Sequence, residues 1–244
     1  MQVVVTRPAG QQQALMEALS QLGVTPLHRP LMRIEALASN ATLRQSMIDL
    51  DHYQAVIAIS RNAAEHGLRW MDEFWPQPPV GIDWYAVGPT TAEVLQQAGL
   101  RVRMPMQQFD SEGLLALASL SAKRVTGTKV LIWRGVGGRE TLASVLRQRG
   151  AQVDYAELYQ RLAVTDQDWP QVLASRPLLL LSSSQALDIV SAQVPDLAQR
   201  IAALVVPSER AATQARAQGI TTIQAASARD EDMLASVGQW LHND

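Results

Sequence analysis

Val3-Val4-Val5-Thr6-Arg7-Pro8-Ala9-Gly10 lies near the start of the chain, and Val130-Leu131-Ile132-Trp133-Arg134-Gly135-Val136-Gly137-Gly138 repeats its pattern 127 positions later. Each begins with an apolar run, reaches an arginine and passes through small residues into a helix-patterned stretch. The two helical stretches close at Leu22-Gly23 and Arg149-Gly150, and Leu15/Leu142 and Leu19/Leu146 keep the same offset. A strand that ends in arginine, a small-residue loop and a helix start together make an anion-binding corner. Two such corners predict two similar domains gripping one ligand between them.

Working outward, short apolar runs alternate with amphipathic stretches along the whole chain, the pattern of α/β folds with parallel sheets. Strands are expected over 2–6, 55–59, 84–87, 129–133, 178–182 and 202–206, and weaker ones near 24–27, 101–103, 152–155 and 221–224. Helices are expected near 10–22, 61–72, 89–98, 111–119, 138–149, 184–192, 208–218 and 230–241. In the first of these, Ala14, Leu15, Ala18, Leu19 and Leu22 form one apolar stripe. Gly23, Gly99, Gly150 and Gly219 stand where helix C-caps are expected. Trp75 to Pro79 is the one obvious loop cluster.

The repeat has four motifs that recur in order. Val56-Ile57-Ala58-Ile59-Ser60-Arg61-Asn62 matches Leu178 to Ser184, which equates Ser60 with Ser182. Ala86-Val87-Gly88-Pro89-Thr90-Thr91 matches Val205 to Arg210, and Ser111 to Leu115 matches Asp230 to Leu234. In the last pair Ser111 and Asp230 are read as N-caps. Two extended segments, Leu27 to Ala36 and Ala156 to Val164, have the character of paired connectors; Pro26 and Pro30 make the first a poor central strand. A plain tandem cut near 125 and a swapped arrangement both give each lobe one copy of every motif, and the two connectors favour the swap.

The composition excludes several function classes. With 244 residues, 47% hydrophobic and 18% charged, the chain suits one large or two small globular domains. A net charge of −2 argues against a nucleic-acid binder working through a broad basic surface. Lys123 and Lys129 are the only lysines, so 19 of the 21 cations are arginine, the residue suited to bidentate contacts with carboxylate or phosphate. A high-GC coding bias explains that preference equally well. Zero cysteines remove disulfides, thiolate nucleophiles and Cys-ligated metals. The chain enters a strand pattern at once and holds no apolar run of membrane-spanning length, so a cytoplasmic protein is expected, with no membrane contact.

No dinucleotide fingerprint or nucleotide P-loop occurs, and His28, His52, His66 and His242 have no metal-ligand spacing. The expected strand C-terminal ends instead carry Thr6, Arg7, Ser60, Arg61, Asn62, Thr90, Thr91, Arg134, Ser182, Ser183, Ser184, Ser208 and Arg210. In open α/β sheets ligands bind outside those ends. Singly, each Ser, Thr or Asn reads best as a helix cap. Together, hydroxyls, helix N-termini and arginines suit a ligand with many carboxylates or phosphates. Tyr159 breaks the repeat, standing where the first copy has Met32. It either packs its ring against a neighbouring lobe or offers its hydroxyl to a leaving group. The residues alone also accommodate a bilobal polyanion-binding protein, or a sugar-phosphate enzyme with paired Rossmann-like lobes.

The ordered set Thr6-Arg7-Pro8, Ser60-Arg61-Asn62-Ala63, Val87-Gly88-Pro89-Thr90-Thr91-Ala92, Ser111-Glu112-Gly113-Leu114, Arg134-Gly135-Val136-Gly137-Gly138-Arg139-Glu140 and Leu158-Tyr159-Gln160-Arg161 resembles the uroporphyrinogen-III synthases. The resemblance runs nearly the whole length, through Ser182-Ser183-Ser184 and Pro207-Ser208-Glu209-Arg210. It implies two flavodoxin-like parallel-sheet domains joined by a two-stranded linker: 1–30 with 165–244, 37–155, and connectors 31–36 and 156–164. It also implies a lyase without cofactor or metal that closes linear hydroxymethylbilane to uroporphyrinogen III, inverting ring D through a spiro intermediate. Tyr159 then matches the family tyrosine implicated in loss of the ring-A hydroxyl, and Gly88, Gly135, Gly138 and Arg139 join the substrate-binding set. The implied partners are the linear tetrapyrrole substrate and, transiently, the preceding pathway enzyme, with a monomer as the working state. Glu209, beside a polycarboxylate, would have to point away or pair with an arginine.

Overall fold

A computed structural model describes residues 1–165 and 168–243, and these form two compact units, Met1–Arg33 with Leu162–Asp244 and Ile34–Arg161. In chain order the strands are β1 (Gln2–Val5), β2 (Thr25–His28), β3 (Met32–Ala36), β4 (Ala55–Ala58), β5 (Asp83–Ala86), β6 (Val102–Arg103), β7 (Lys129–Gly135), β8 (Gln152–Ala163), β9 (Leu178–Leu180), β10 (Ala203–Val206) and β11 (Thr222–Gln224). The helices are α1 (Gln13–Gln21), α2 (Ala41–Ile48), α3 (Arg61–Phe74), α4 (Pro89–Gln97), α5 (Ser111–Leu115), α6 (Ala122–Val125), α7 (Thr141–Gln148), α8 (Trp169–Val172), α9 (Ser184–Gln193), α10 (Leu197–Arg200), α11 (Glu209–Ala217) and α12 (Asp230–Asn243). Every strand expected from the apolar runs is present. Helix α2 has too few apolar positions to give a clear stripe in the sequence; it is held by Asn40, whose side chain accepts from the Leu43 N–H at 2.9 Å.

The first unit holds the sheet β11-β10-β9-β1-β2, with every neighbouring pair parallel. Alternation along these strands sorts the side chains. Val3, Val5, Leu178, Leu180, Ala203 and Val205 face Leu15 and Leu19 of α1 and Met233 and Val237 of α12. Val4, Leu179, Leu181, Leu204 and Val206 face Leu187 and Val190 of α9 and Ala211, Ala212 and Ala215 of α11. Both faces are covered, which is why these strands read as unbroken apolar runs. Each fully buried Val or Leu contributes about 1.5–3 kcal/mol.

The second unit repeats the plan from a different starting point. Its sheet runs β3-β8-β7-β4-β5-β6, and β8 to β6 are parallel throughout. Aligned by motif, β7, β8, β4, β5 and β6 occupy the places of β1, β2, β9, β10 and β11. The first sheet therefore has the flavodoxin-type order, and the second keeps the same motifs in the same places as a circular permutation of it, its parallel strands lying in the order β6-β5-β4-β7-β8. The strands that open the chain, β1 and β2, lie in the same sheet as β9 to β11, while β4 pairs with β7. One face packs Val56, Ala58, Leu131 and Trp133 against Ala63, Ala64 and Met71 of α3. Helix α3 comes so near β7 that a Cβ on Gly67 would lie 2.1 Å from the Trp133 ring.

The two connectors pair with each other as the expected two-stranded linker, and they are continuous with the second unit's sheet. Segment 31–36 contains β3, the edge strand of the six-stranded sheet, and segment 156–164 takes in the later part of β8, a single 12-residue strand that ends at Ala163 and pairs with β7 as far as Tyr159. The hydrogen bonds from Leu37 N to Leu158 O (3.1 Å) and from Val164 N to Leu31 O (2.9 Å) give β3 and β8 an antiparallel pairing. The division between the units falls inside these strands, after Arg33 and after Arg161.

Candidate functional site

The strand order reverses between β7 and β4 in the second unit and between β1 and β9 in the first, and such switch points are where open α/β sheets bind ligands. In the second unit this point lies at Ser60, after β4, and Gly135, at the end of β7. Tyr159 reaches it through a slip in register. Arg134 pairs with Glu157, but the next residue, Gly135, pairs with Tyr159, so Leu158 is an extra residue in β8. Strict alternation would put Tyr159 on the face of Val153 and Tyr155. The extra residue turns it to the opposite face, among Ala156, Leu158 and Trp133.

There the Tyr159 side chain is fully buried, at 0% exposure. Its hydroxyl lies 3.0 Å from Ser60 Oγ and 3.0 Å from an Arg161 guanidinium nitrogen. His66 of α3 stacks on its ring, with centroids 5.6 Å apart. Burial and then Arg69 push the His66 imidazole below its ordinary value. Arg161 and His66 were not among the residues singled out from sequence. The signal for Arg161 was its place two residues beyond Tyr159 in a strand, on the same face; His66 had none, because its position depends on how α3 packs.

The arginines of the two opening motifs are turned inward. Arg134 is 3% exposed; it donates to Gly135 O (3.2 Å), to Gly137 O and to Glu140 Oε1 (2.9 Å), and sits 4.5 Å from the Tyr155 ring centroid. Tyr155 and then Arg134 hold the Glu140 carboxyl below the usual carboxylate range by hydrogen bonding. Arg7 donates to the Asp230 carboxylate, to Ala228 O (2.7 Å) and to Gln11 O (3.5 Å). The expected anion corners are thus filled by protein carbonyls and carboxylates. A loop with several inward carbonyls needs a donor-rich side chain, and arginine meets that need.

The serines are caps first. Ser60, Ser183 and Ser208 accept from the N–H groups of Ala63, Ala186 and Ala211 at 3.1, 3.2 and 3.3 Å. The caps correct the repeat alignment: Ser183, not Ser182, holds the place of Ser60, and Ser208 that of Gly88, the N-cap of α4. Asp110, not Ser111, caps α5, accepting from Gly113 N at 2.8 Å. Thr6 is buried and donates to Leu180 O at 2.7 Å, tying β1 to β9 at the first unit's switch point. Thr91 is buried and Thr90 exposed; Ser182 and Asn62 are half-buried. Arg61 is exposed and pairs with Glu65 at 2.7 Å, and Arg210 donates to buried Ser184 at 3.1 Å. Arg139 is exposed and Gly138 has φ 111°, a conformation glycine tolerates. Glu209 is turned to Thr213 (3.2 Å) and Arg216 (3.8 Å).

A cavity of about 260 Å³ opens at the same strand ends of the second unit, on the face opposite Tyr159. Ile59, Val87, Phe109, Asp110, Arg134, Arg139 and Tyr155 are among its walls. Among the described residues, no group of three or more His, Cys, Asp or Glu side chains is placed to hold a metal ion, and no helix is long and apolar enough to cross a membrane.

Over residues 13–235 the chain matches the family described as uroporphyrinogen-III synthase HemD. It is 30% identical over 246 residues to the uroporphyrinogen-III synthase of Escherichia coli, covering 96% of this chain and 98% of that one. It is 36% identical over 168 residues to that of Proteus mirabilis, covering 67% of this chain and 82% of the relative. Among solved structures, the uroporphyrinogen-III synthetase of Helicobacter pylori gives a TM-score of 0.65 at 14% identity, covering 98% of this chain and 99% of that one. A mutant uroporphyrinogen III synthase of Thermus thermophilus gives 0.63 at 14% identity, with complete coverage of both. At those identities the structural likeness speaks for the fold.

Proposed function

The chain belongs to the uroporphyrinogen-III synthase family, whose enzymes cyclise hydroxymethylbilane in haem biosynthesis, and from that premise we propose how its own residues do so. The ring-A hydroxyl leaves to give an electrophilic azafulvene. Ring D attacks through its substituted α-carbon, and the spiro pyrrolenine fragments and recloses in the inverted sense. Hydroxymethylbilane cyclises unaided to the non-inverted isomer, so the protein's main task is to hold the chain in the conformation that favours the spiro route. That task needs binding groups and modest help for the departing hydroxyl.

The observation that carries this reading is the Tyr159 hydroxyl, held at the second unit's switch point by Ser60 and Arg161. We assign it the assistance to hydroxyl departure. In the second unit exposed Arg61 and Arg139, the Thr90 hydroxyl and the N–H groups that open α3 and α4 are suited to bind substrate carboxylates; in the first unit exposed Arg210, the hydroxyls of Ser182, Ser183 and Ser208 and the N–H groups that open α9 and α11 are suited to the same task. Gly135 makes room for the Tyr159 ring and Gly88 for Phe109. Thr6, Arg7, Asn62, Thr91, Arg134, Gly138 and Ser184 shape the loops that present these groups. The protein works as a monomer in the cytoplasm, without cofactor, and takes its unstable substrate from the enzyme that makes it.

The test is to supply freshly made hydroxymethylbilane and resolve the product isomers. Uroporphyrinogen III in excess over the enzyme-free blank is the expected result. Uroporphyrinogen I alone, as in the blank, would reject the assignment.

A further inference from the structure

Fully buried Tyr159 has no surface of its own to offer a substrate, yet its hydroxyl is part of a chain that ends at a half-buried group. The direction of that chain follows from donor accounting. Arg161 can only donate, so the Tyr159 oxygen accepts from it at 3.0 Å. The phenolic hydrogen then needs an acceptor in a buried place, where an unmatched donor is costly, and Ser60 Oγ at 3.0 Å is that acceptor. Ser60 Oγ also accepts the Ala63 N–H at 3.1 Å in its capping role. With both lone pairs engaged, the Ser60 hydrogen is left over, and Ser60 is half-buried where Tyr159 is fully buried.

We propose that Ser60 is the catalytic residue that meets the departing hydroxyl, and that Tyr159 and Arg161 are positioning residues that supply and stabilise the proton behind it. This rests on the proposed cyclisation. As the ring-A carbon–oxygen bond breaks, Ser60 gives its proton to the leaving oxygen, which departs as water. Ser60 takes the Tyr159 proton in the same step, and the Arg161 guanidinium stabilises the phenolate against the azafulvenium cation. When the closing α-carbon of ring D loses its hydrogen, that proton returns through Ser60 to Tyr159. The net change is loss of one water, and the enzyme ends as it began. His66, stacked on the phenol at 5.6 Å, fixes the ring plane in which this transfer occurs.

The test is a double-mutant cycle on the full chain, read as kcat and KM for hydroxymethylbilane with the isomer ratio. Ser60→Asn keeps an N-cap acceptor but has no hydroxyl proton. Its kcat is expected to fall roughly 100-fold with KM little changed. Arg161→Gln alters an exposed residue, so the fold is kept; its kcat falls by about tenfold in the wild-type background and not further in Tyr159→Phe. Ser60→Thr restores more turnover than Ser60→Asn. Losses that multiply in the double variants, an Arg161→Gln effect confined to KM, or a Ser60→Asn variant with wild-type kcat would each overturn the relay. Wild-type protein giving only uroporphyrinogen I would instead overturn the underlying function.

Discussion

Tyr159 lies against Gly135 so closely that a Cβ at position 135 would stand 2.7 Å from its Cε2 and Cζ atoms. The strand end that carries the second motif's arginine therefore also forms the floor under the phenol. Gly135 is needed because any side chain would occupy the ring's place. Gly135→Ala is expected to displace Tyr159 from Ser60 and to cost about 1–3 kcal/mol through overpacking. Thermal unfolding reads the second effect; kcat, expected to fall at least roughly tenfold, reads the first. A variant with unchanged turnover would show that the phenol's position is immaterial.

Tyr159→Phe keeps the ring and its stacking on His66 but removes the hydroxyl. Turnover should fall by roughly 100-fold while the loss of one buried hydrogen bond costs only about 0.5–1.5 kcal/mol. Far-UV circular dichroism and product-isomer analysis on the same preparation check both halves. Wild-type rate in this variant would remove Tyr159 from the reaction.

Arg134 is expected to act on the loop rather than on the ligand. Arg134→Met leaves the carbonyls of Gly135 and Gly137 without their donor, and the structure should lose about 1–3 kcal/mol. Denaturant titration measures this. A variant of native stability whose KM alone rises would reverse the assignment and make Arg134 a substrate ligand.

His66 gives a pH dependence with a definite sign. Burial and the neighbouring Arg69 hold its imidazole below the ordinary value of 6.5, with Glu65 opposing them, and the Tyr159 ring covers it. The unfolded chain therefore binds a proton more readily than the native one. Stability is lost as pH falls below about 6.5, and the loss levels off once the native imidazole also titrates. Wild-type unfolding temperature should drop over that window more steeply than that of His66→Phe, which keeps an aromatic stack. Parallel slopes for the two proteins would refute the coupling.

Much of the fold was legible because it is written locally. Runs such as Val3-Val4-Val5 and Leu178-Leu179-Leu180, rich in apolar residues and short, read as strands covered on both faces, and Gly23 and Gly150, with φ 77° and 88°, end α1 and α7 as the repeat requires. The site was legible in part. The serine-rich turns were located, but equating Ser60 with Ser182 missed by one residue, since only the helix starts reveal which serine caps. Arg7 and Arg134 were found but given an outward role. Whether a guanidinium meets solvent or loop carbonyls depends on how the loop folds back, and small residues such as Gly137 leave no sequence record of that.

By itself the sequence determined the strands, their alternating faces, the duplication and the family, because periodicity and motif order act over a few residues at a time. Tertiary structure decided which strands share a sheet: β1 joins β9 and β7 joins β4, across separations that no local pattern measures. It also decided where Tyr159 points. One extra residue in β8 reverses the face of everything beyond it, and that register is set by pairing with β7 rather than by the tyrosine's own neighbours.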